Sequence, residues 1–566
     1  MNNKRVLISL MFFALLLVVA TSCSKKLNPL SSDAFTVNPS PLELVGTKIP
    51  VTVTGRIPAN WFNKNAVVEV STVLKYNGTE TVGTTQIYQG ENVAGNGIVI
   101  SQKNGGNISL KSEFNYIPEM DKSELYLRFN ASIKGKAIAL PDVKVADGLS
   151  SAAALASVYT TTPALAPDKF QRIIEEAHDA DIMFLIQQAQ LRSSELNSTN
   201  LNAWKDLVSE ANKNDRKNLN VEVLAYASPD GGLELNEKLA EQRERNTSAY
   251  LEKEFLKKDI DTEVNAKYTA QDWDGFQKLV AASSLQDKDL VLRVLSMYTD
   301  PVEREREIKN ISVIYKDLAE TILPKLRRSR LVANVEIIGK TDEELLKAVN
   351  SNNLNDLSLE ELLYAANLAS DSQKAQIYTL ASTKFPNDYR AVNNLGSLSF
   401  KSGDLSKAKT YFEKAKQLNG QAAEANMNLG LIALADGDVS KAEQLLGNAS
   451  SANTINEALG LLFMKKGDYA AAAAAYGEAK TNNAALAQLL SKNYNKSQQT
   501  LNALPSKDAT SHYISALLAA RTNNTSGVVS ALKQATTLDS NFAKKALNDT
   551  DFSKFLNNSD IKNMLK

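Results

Sequence analysis

The sequence predicts a multidomain protein that joins an N-terminal β-sandwich, an α/β domain with a helical insert and a C-terminal all-α solenoid. Three observations predict this order. Residues 46–148 alternate apolar and polar side chains, residues 165–340 alternate strand and helix patterns, and residues 341–566 have helical patterns throughout. A chain of 566 residues is also too long for one hydrophobic core, so several domains are expected.

The N-terminus has the pattern of a secretory signal. Lys4 and Arg5 precede an apolar run to Ala20, and small residues then lead to Cys23. Small residues ending in cysteine resemble the lipobox of bacterial lipoproteins, which implies that residues 1–22 are removed and Cys23 is acylated. The alternative is an ordinary secretion signal with a chance cysteine. The sequence contains no second cysteine, so no disulfide can form within the chain.

The residues after Cys23 bear on location. No aspartate follows it directly, which resembles outer-membrane sorting, and no acidic run follows, which favours the periplasmic face over surface display. Residues 23–45 are rich in Ser, Asn and Pro, a composition typical of a tether. The expected location is the outer membrane, through a lipid anchor, facing the periplasm.

Residues 46–148 are predicted to form a small antiparallel β-sandwich. Val51 and Val53 alternate with threonines, and a longer alternating run ends at Asn77-Gly78, which is a hairpin signal. The following segment, 146–162, is rich in Ala, Ser and Thr and is predicted to be a linker or a loose helix.

Residues 165–340 are predicted to form an α/β domain. A helix near Asp168–Asp179 is expected to open it, strands are expected at Val221–Ala225 and Leu331–Ile338, and four helical patterns fill an insert at 271–326. The stretch from 220 to 251 resembles the OmpA-like peptidoglycan-associated domain: a strand and a short polar loop precede a helix carrying Asn236, Leu239 and Arg243 at that family's spacing.

This resemblance implies a ligand. A loop aspartate and the helix arginine of the family hold the charged ends of diaminopimelate in the wall peptide, because a zwitterion needs one carboxylate and one guanidinium. The aspartate position is Ser228 here, and Asp230 lies two residues later. Wall binding and a changed role as an interaction module are therefore both open. The candidate peptidoglycan-binding residues are Ser228, Asp230, Asn236, Arg243, Arg328 and Arg330, with a solvated strand rim as the alternative for the last two.

The C-terminal helices repeat. Leu395-Gly396 recurs as Leu429-Gly430, 34 residues later, and as Leu459-Gly460, a further 30 residues on. Glycine at the turn tolerates unusual dihedral angles, and small alanines let two helices approach closely. The pattern resembles the tetratricopeptide repeat, which implies a helical solenoid at 341–566 whose concave groove binds peptides or proteins.

The family's register places five residues in that groove: Asn393, Asn394, Met427, Asn428 and Leu431. An envelope protein or peptide is the expected partner. The alternative is that the groove packs against other parts of this chain.

No pattern indicates catalysis. The two histidines lie far apart, clustered metal ligands are missing, and no phosphate-binding glycine loop is present. Lys plus Arg and Asp plus Glu both total 64, so net charge gives no basis for nucleic-acid binding. We expect no cofactor and no metal. The expected function is a non-enzymatic scaffold or adaptor. The alternatives are a tether between the outer membrane and peptidoglycan and, more distantly, a hydrolase with an unrecognised site.

Overall fold

The computed structural model describes residues 27–310 and 312–565 and divides into two compact units. One contains the residues up to Pro167 together with those from Tyr378 onward, and the other contains Asp168–Ile377. The first unit is therefore discontinuous in sequence, and the second is inserted between its halves. Cys23 and the predicted signal lie outside the described residues.

The N-terminal half of the first unit is rich in strands. They are β1 (Phe35–Asn38), β2 (Leu42–Glu43), β3 (Lys48–Ile57), β4 (Ala66–Tyr76), β5 (Thr79–Gly90), β6 (Ile98–Ile100), β7 (Gly106–Asn115), β8 (Ser123–Ile133), β9 (Lys136–Ala139), β10 (Val143–Asp147) and β11 (Leu149–Ser150). Two sheets, in the orders β1-β3-β7 and β10-β8-β4-β5-β6, bury their apolar faces in one shared core. Asn77 and Gly78 both have positive φ in the turn between β4 and β5, as the hairpin signal predicted.

The predicted tether, 23–45, is wrong from Phe35 onward. In β1, Phe35 lies opposite Gly55 of β3, and β2 pairs with β11. Phe35 and Val37 are both buried in the shared core. The composition is that of a tether, but alternating apolar side chains supply one buried face, and this burial outweighs the composition.

The β-rich region packs against the C-terminal helices of the same unit. The Tyr469 hydroxyl donates to the Leu44 carbonyl at 3.0 Å and accepts from the Gly46 amide at 3.1 Å. Further along, the Ser150 hydroxyl donates to the Asp551 carboxylate at 2.7 Å, and Asp551 also forms an ion pair with Arg521 at 3.0 Å. These hydrogen bonds and the ion pair link the two sequence halves of the unit.

A buried carboxyl group lies at the same contact. Asp549 is 2% exposed and accepts a hydrogen bond from the Tyr513 hydroxyl at 3.1 Å. Burial, reinforced by the nearby charge of Asp551, raises the pKa of Asp549 to about 7, although Lys545 opposes the shift. The folded state therefore binds a proton that the unfolded chain, with an aspartate pKa of about 3.9, has already lost. This group's contribution to stability falls as the pH rises from about 4 to about 7.

Asp549→Asn is consequently expected to gain stability relative to the unsubstituted protein as the pH rises from about 5 to about 8. The gain should be about 2–3 kcal/mol, because the amide has the shape of the protonated carboxyl and no charge to bury. Urea denaturation at both pH values measures it. Asp560→Asn, at an exposed carboxylate of the last helix, is the control. A gain independent of pH would contradict the assignment.

The second unit is built on a four-stranded mixed sheet. Its strands are β12 (Ile173–Met183), β13 (Lys217–Tyr226), β14 (Val264–Thr269) and β15 (Arg328–Ile338), in the order β12-β15-β13-β14. Its first helices are α1 (Ser193–Leu196), α2 (Thr199–Asn212) and α3 (Leu233–Lys258), and its insert contains α4 (Trp273–Ala281), α5 (Lys288–Met297), α6 (Pro301–Asn310) and α7 (Ser312–Thr321). Trp204 of α2 and Phe255 of α3 pack on Val223 and Leu331 of the sheet. The insert has a core of its own, around Phe276.

The predicted helix at Asp168–Asp179 is wrong. The residues from Ile173 belong to β12, which pairs with β15 in antiparallel register along its whole length, from Ile173 opposite Ile338 to Met183 opposite Arg328. The helical pattern is overridden here because a long partner strand pairs with the main-chain groups along one edge of the segment.

The second unit also extends beyond the predicted end of the α/β domain at 340. It includes α8 (Asp342–Asn350), α9 (Leu359–Leu368) and the start of α10 (Asp371–Lys384). The rings of Phe170 and Tyr364 stack with centroids 4.6 Å apart, and Arg172 pairs with Asp342 at 2.6 Å. The helices α8 and α9 both start with the capping boxes that their sequences predict.

The first ten of the remaining helices pack as consecutive pairs, and the last two pack on the final pair. In chain order, these helices are α11 (Tyr389–Lys401), α12 (Leu405–Leu418), α13 (Ala423–Ala435), α14 (Val439–Gly447), α15 (Ile455–Lys466), α16 (Tyr469–Tyr476), α17 (Asn482–Leu490), α18 (Tyr494–Asn502), α19 (Ala509–Arg521), α20 (Thr525–Leu538), α21 (Asn541–Asn548) and α22 (Ser559–Met564). A Cβ on Gly396 would lie 2.5 Å from the Phe412 ring, so this glycine lets the large residue of its own helix pair pack over it. Gly403 turns the chain with φ +84°.

Candidate functional site

The first helices of successive pairs line a groove, and a segment of the chain itself lies in it. We call residues 152–166 the groove segment. It contains two short 3₁₀ turns, Ala152–Leu155 and Val158–Thr160, and otherwise has no regular structure. It runs from α17, at Ser157, towards α11, at Ala166, so it crosses the helix pairs in the reverse of their order in sequence. The predicted linker is therefore a buried part of the first unit.

Three asparagines hold the groove segment by its main chain. Asn428 accepts from the Ala164 amide at 2.8 Å and donates to the Ala164 carbonyl at 2.9 Å. Asn394 makes the same pair of bonds with Ala166, at 2.8 and 3.3 Å. Asn483 makes it with Ser157, at 3.0 and 2.7 Å. A carboxamide carries both a donor and an acceptor, so each asparagine satisfies the main-chain amide and carbonyl of one residue in an extended chain. These hydrogen bonds do not depend on which side chain that residue carries.

Neighbouring polar groups complete this network. The amide of Asn393 and the hydroxyl of Ser397 both donate to the Ala164 carbonyl at 3.0 Å. Asn393 also accepts from Asn428 at 3.1 Å, which fixes the orientation of both side chains. All three side chains are fully buried. Several buried side-chain amides lie close together here, and such groups are stable only when each has hydrogen-bond partners. The main chain of the groove segment supplies many of these partners.

Two charged side chains touch the segment nearer its start. Glu457 accepts from the Thr162 amide at 3.1 Å, and Lys465 donates to the Ala156 carbonyl at 3.1 Å. Burial lowers the pKa of Lys465. These contacts also go to main-chain atoms.

A second candidate site is a cleft of about 50 Å³ in the α/β unit, beside the loop that follows β13. Ser228, Asp230, Asn236 and Arg243 all line it, and so does Arg327. Asp230 pairs with Arg327 at 2.9 Å and accepts a hydrogen bond from the Ser228 hydroxyl. Asn236 shapes the loop by donating to the Ser228 and Gly231 carbonyls at 2.9 and 2.8 Å.

Arg243 lies on the floor of this cleft and is 1% exposed. Its guanidinium donates to the carbonyls of Gln188, Tyr226 and Leu185, at 3.0, 2.8 and 3.3 Å, and lies 4.9 Å from the Phe184 ring centre. Among the described residues it has no ion-pair partner. Burial, together with the charge of Arg327, lowers the pKa of Arg243 to about 10. With two guanidinium groups and one carboxylate, the cleft favours an anion.

Comparisons with known proteins bear on the groove. A family model described as "Tetratricopeptide repeat" matches residues 393–453. The protein contains tetratricopeptide repeats. The matched range covers α11 to α14 and includes Asn394 and Asn428, which lie 34 residues apart at the same position of successive repeats. A search of curated proteins found no relative of this chain.

Solved structures that match parts of this chain were also found. A tetratricopeptide repeat protein from Parabacteroides merdae is 15% identical, with 40% of this chain and 89% of that chain covered and a TM-score of 0.27. PilF of Pseudomonas aeruginosa is 17% identical, with coverage of 38% and 99% and a TM-score of 0.28. YrrB, described as a repeat protein with an unusual peptide-binding site, is 17% identical, with coverage of 34% and 89% and a TM-score of 0.21.

The groove residues predicted from the repeat register fall into two groups. Asn393, Asn394 and Asn428 come together on the groove segment, whereas Met427 and Leu431 are fully buried in the repeat core. Sequence reasoning missed Ser397 and Asn483. Asn483 lies in the helix pair after the three clear repeats, where the repeat pattern is weaker, and only the uncharged, small-residue composition of the groove segment suggested a buried path.

The candidate wall-binding residues also divide. Ser228, Asp230, Asn236 and Arg243 share the cleft, but Arg328 and Arg330 do not line it. Arg328 pairs with Asp272 at 3.0 Å, and Arg330 is partly exposed and pairs with Asp179 at 2.7 Å. The missed residue is Arg327, which precedes the first residue of β15.

Two further searches covered the described residues alone. Between residues 27 and 310 and between 312 and 565, no three His, Cys, Asp or Glu side chains are grouped so that they could hold a metal ion. No helix in that same part of the chain combines the length and apolar character that a membrane span requires.

Proposed function

We propose that the protein is a non-enzymatic scaffold, anchored in a bacterial outer membrane by a lipid on Cys23, that faces the periplasm and binds envelope proteins. The observation that carries this proposal is the groove of the tetratricopeptide repeats, which holds an extended segment by its main-chain groups. Asn394, Asn428 and Asn483 would hold another uncharged extended chain in the same way. The small-residue sequence ending at Cys23 supports the anchor.

Cross-linking tests the scaffold. Tyr159, on the groove segment, is 64% exposed, so a photoreactive amino acid at this position reports on a partner beside the groove. The matched control position is Val82 on β5, which is 53% exposed. We expect a companion protein to co-purify from detergent-solubilised membranes and to cross-link at 159 but not at 82. Repeated recovery of the protein alone would contradict the proposal.

Fractionation tests the anchor. Cys23→Ala should move the protein from the membrane fraction to the soluble fraction, because the cysteine is the attachment point of the lipid. Equal membrane retention of both forms would reject lipidation at Cys23.

The cleft favours a second function, a tether to peptidoglycan. The resemblance to the OmpA-like domain supports it, and so does the presence of Asp230 beside Arg243. A volume of about 50 Å³ fits a single carboxylate better than a whole diaminopimelate side chain. Asp230 is already paired with Arg327, so a ligand's ammonium group would have to break that pair. We therefore propose that Arg243 and Arg327 hold a carboxylate of the wall peptide.

A pull-down on isolated peptidoglycan tests the tether. Arg327→Gln should lose retention, because it removes a cationic group from the cleft. Arg330→Gln is the matched control, because it changes an arginine of the same strand region that lies outside the cleft. Equal and negligible retention of all three proteins would exclude the tether.

A further inference from the structure

The groove selects a particular kind of chain. Residues 157–167, Ser-Val-Tyr-Thr-Thr-Thr-Pro-Ala-Leu-Ala-Pro, contain no charged side chain. The groups that bind its end are neutral: Asn393, Asn394, Ser397 and Asn428. A charged side chain buried among them would have no counter-ion, so its desolvation would not be compensated. The groove therefore disfavours charged segments at this end.

Side-chain size is restricted at alternate positions. Ala164 and Ala166 are 0% and 5% exposed, whereas Leu165 between them is partly exposed. In an extended chain, alternate side chains point to opposite sides, so two small residues face the helices and the residue between them faces away. A larger side chain at either alanine would have to push the main chain off Asn394 or Asn428.

We propose that the groove's partner is an uncharged extended segment with small side chains two residues apart, and that the groove segment of this chain competes with it for the same asparagines. This inference rests on the proposed scaffold function and names its partner's chemistry. The groove segment is the model for that partner, because its main chain bonds to both the donor and the acceptor of Asn394, Asn428 and Asn483.

Exchange of the two segments is feasible because side chains, rather than a continuous strand ladder, hold the occupant. Each asparagine releases one residue at a time, and the freed amides can bind water or a new main chain. The tethered segment has a high effective concentration, so an external segment binds weakly until the internal one is displaced.

A synthetic peptide tests the competition. The probe is a fluorescein-labelled peptide of residues 157–167, and the control peptide carries aspartate at the position of Ala164. In the full chain, Ala164→Asp with Ala166→Asp should expel the groove segment and leave the asparagines free. We expect the probe to bind this variant by fluorescence anisotropy about a hundredfold more tightly than it binds the unsubstituted protein. The control peptide should bind neither. Failure of the probe to bind a variant with intact helical circular dichroism would overturn the proposal.

Hydrogen exchange on the unsubstituted protein gives an independent test of the proposal. It can be used even when the double variant does not fold. The amides of Ala164 and Ala166 should exchange through a local opening, well before the amides of α11 and α13. Exchange of all of them together, by global unfolding, would show that the segment is a permanent part of the core and would overturn the proposal. Both experiments use purified protein and no envelope partner. If the probe peptide binds but no companion protein cross-links at position 159, the scaffold function is rejected and the competition proposed here is retained.

Discussion

Arg243→Ala is expected to lower the free energy of unfolding of the α/β unit by about 2–4 kcal/mol. The side chain is 1% exposed, so its removal leaves a cavity on the floor of the cleft. It also removes the donors to three main-chain carbonyls and the contact with Phe184. A carbonyl that loses its donor in a buried site costs about 1–3 kcal/mol, less where water can reach it.

Urea denaturation monitored by tryptophan fluorescence measures this effect, because Trp204 and Trp273 both lie in the unit. Arg330→Ala is the matched control, since that arginine is partly exposed, and it should change the free energy of unfolding by no more than about 0.5 kcal/mol. If the two variants unfold at the same urea concentration, the structural role of Arg243 is wrong. A loss of wall binding in Arg243→Ala would not identify a ligand contact, which is why Arg327 is the better position for that test.

Asn394→Ala combined with Asn428→Ala is expected to lower the free energy of unfolding of the first unit by about 2–5 kcal/mol. The amides of Ala164 and Ala166 would lose their acceptors at almost fully buried positions. Each unsatisfied buried amide costs about 1–3 kcal/mol. The carbonyl of Ala164 keeps Asn393 and Ser397 as donors, which limits the loss there.

The control for this pair is Asn448→Ala. Asn448 is an exposed asparagine at the end of α14, and its side-chain amide donates to the Gln444 carbonyl of the same helix at 3.1 Å. It should change the free energy of unfolding by no more than about 0.5 kcal/mol. Thermal melts and urea titrations of both variants measure the difference, and a double variant as stable as Asn448→Ala would refute the role assigned to the asparagines.

The repeats could be predicted from the sequence because their signals are local. Gly396, Gly430 and Gly460 are each followed at the same spacing by a large side chain that packs over the glycine within one helix pair. The occupant of the groove could not be predicted in the same way. Ser157 and Asn483 are 326 residues apart, and the groove segment has neither strand nor helix periodicity. Its path is determined by hydrogen bonds to distant side chains, which leave no local pattern.

The cleft shows the same division. The resemblance to the OmpA-like domain implied that Asn236 and Arg243 share a site, and positions seven residues apart do lie on the same helix face. Which arginine of the last strand region joins them depends on the register between β13 and β15, in which Arg330 lies opposite Leu224. A shift of one residue reverses the face to which a side chain points, so Arg327 could not be distinguished from its neighbours.

The division of the first unit into two sequence halves has a consequence for how the chain folds. Ala166 and Asn394 are 228 residues apart, and these contacts cannot form until the repeats have been synthesised. The inserted unit, Asp168–Ile377, contains its own cores and can fold earlier. Once it is folded, the distance between its two ends is fixed. This lowers the entropy cost of bringing together the two halves of the first unit. High contact order slows the last step, so we expect the groove to be completed late, after the inserted unit is native.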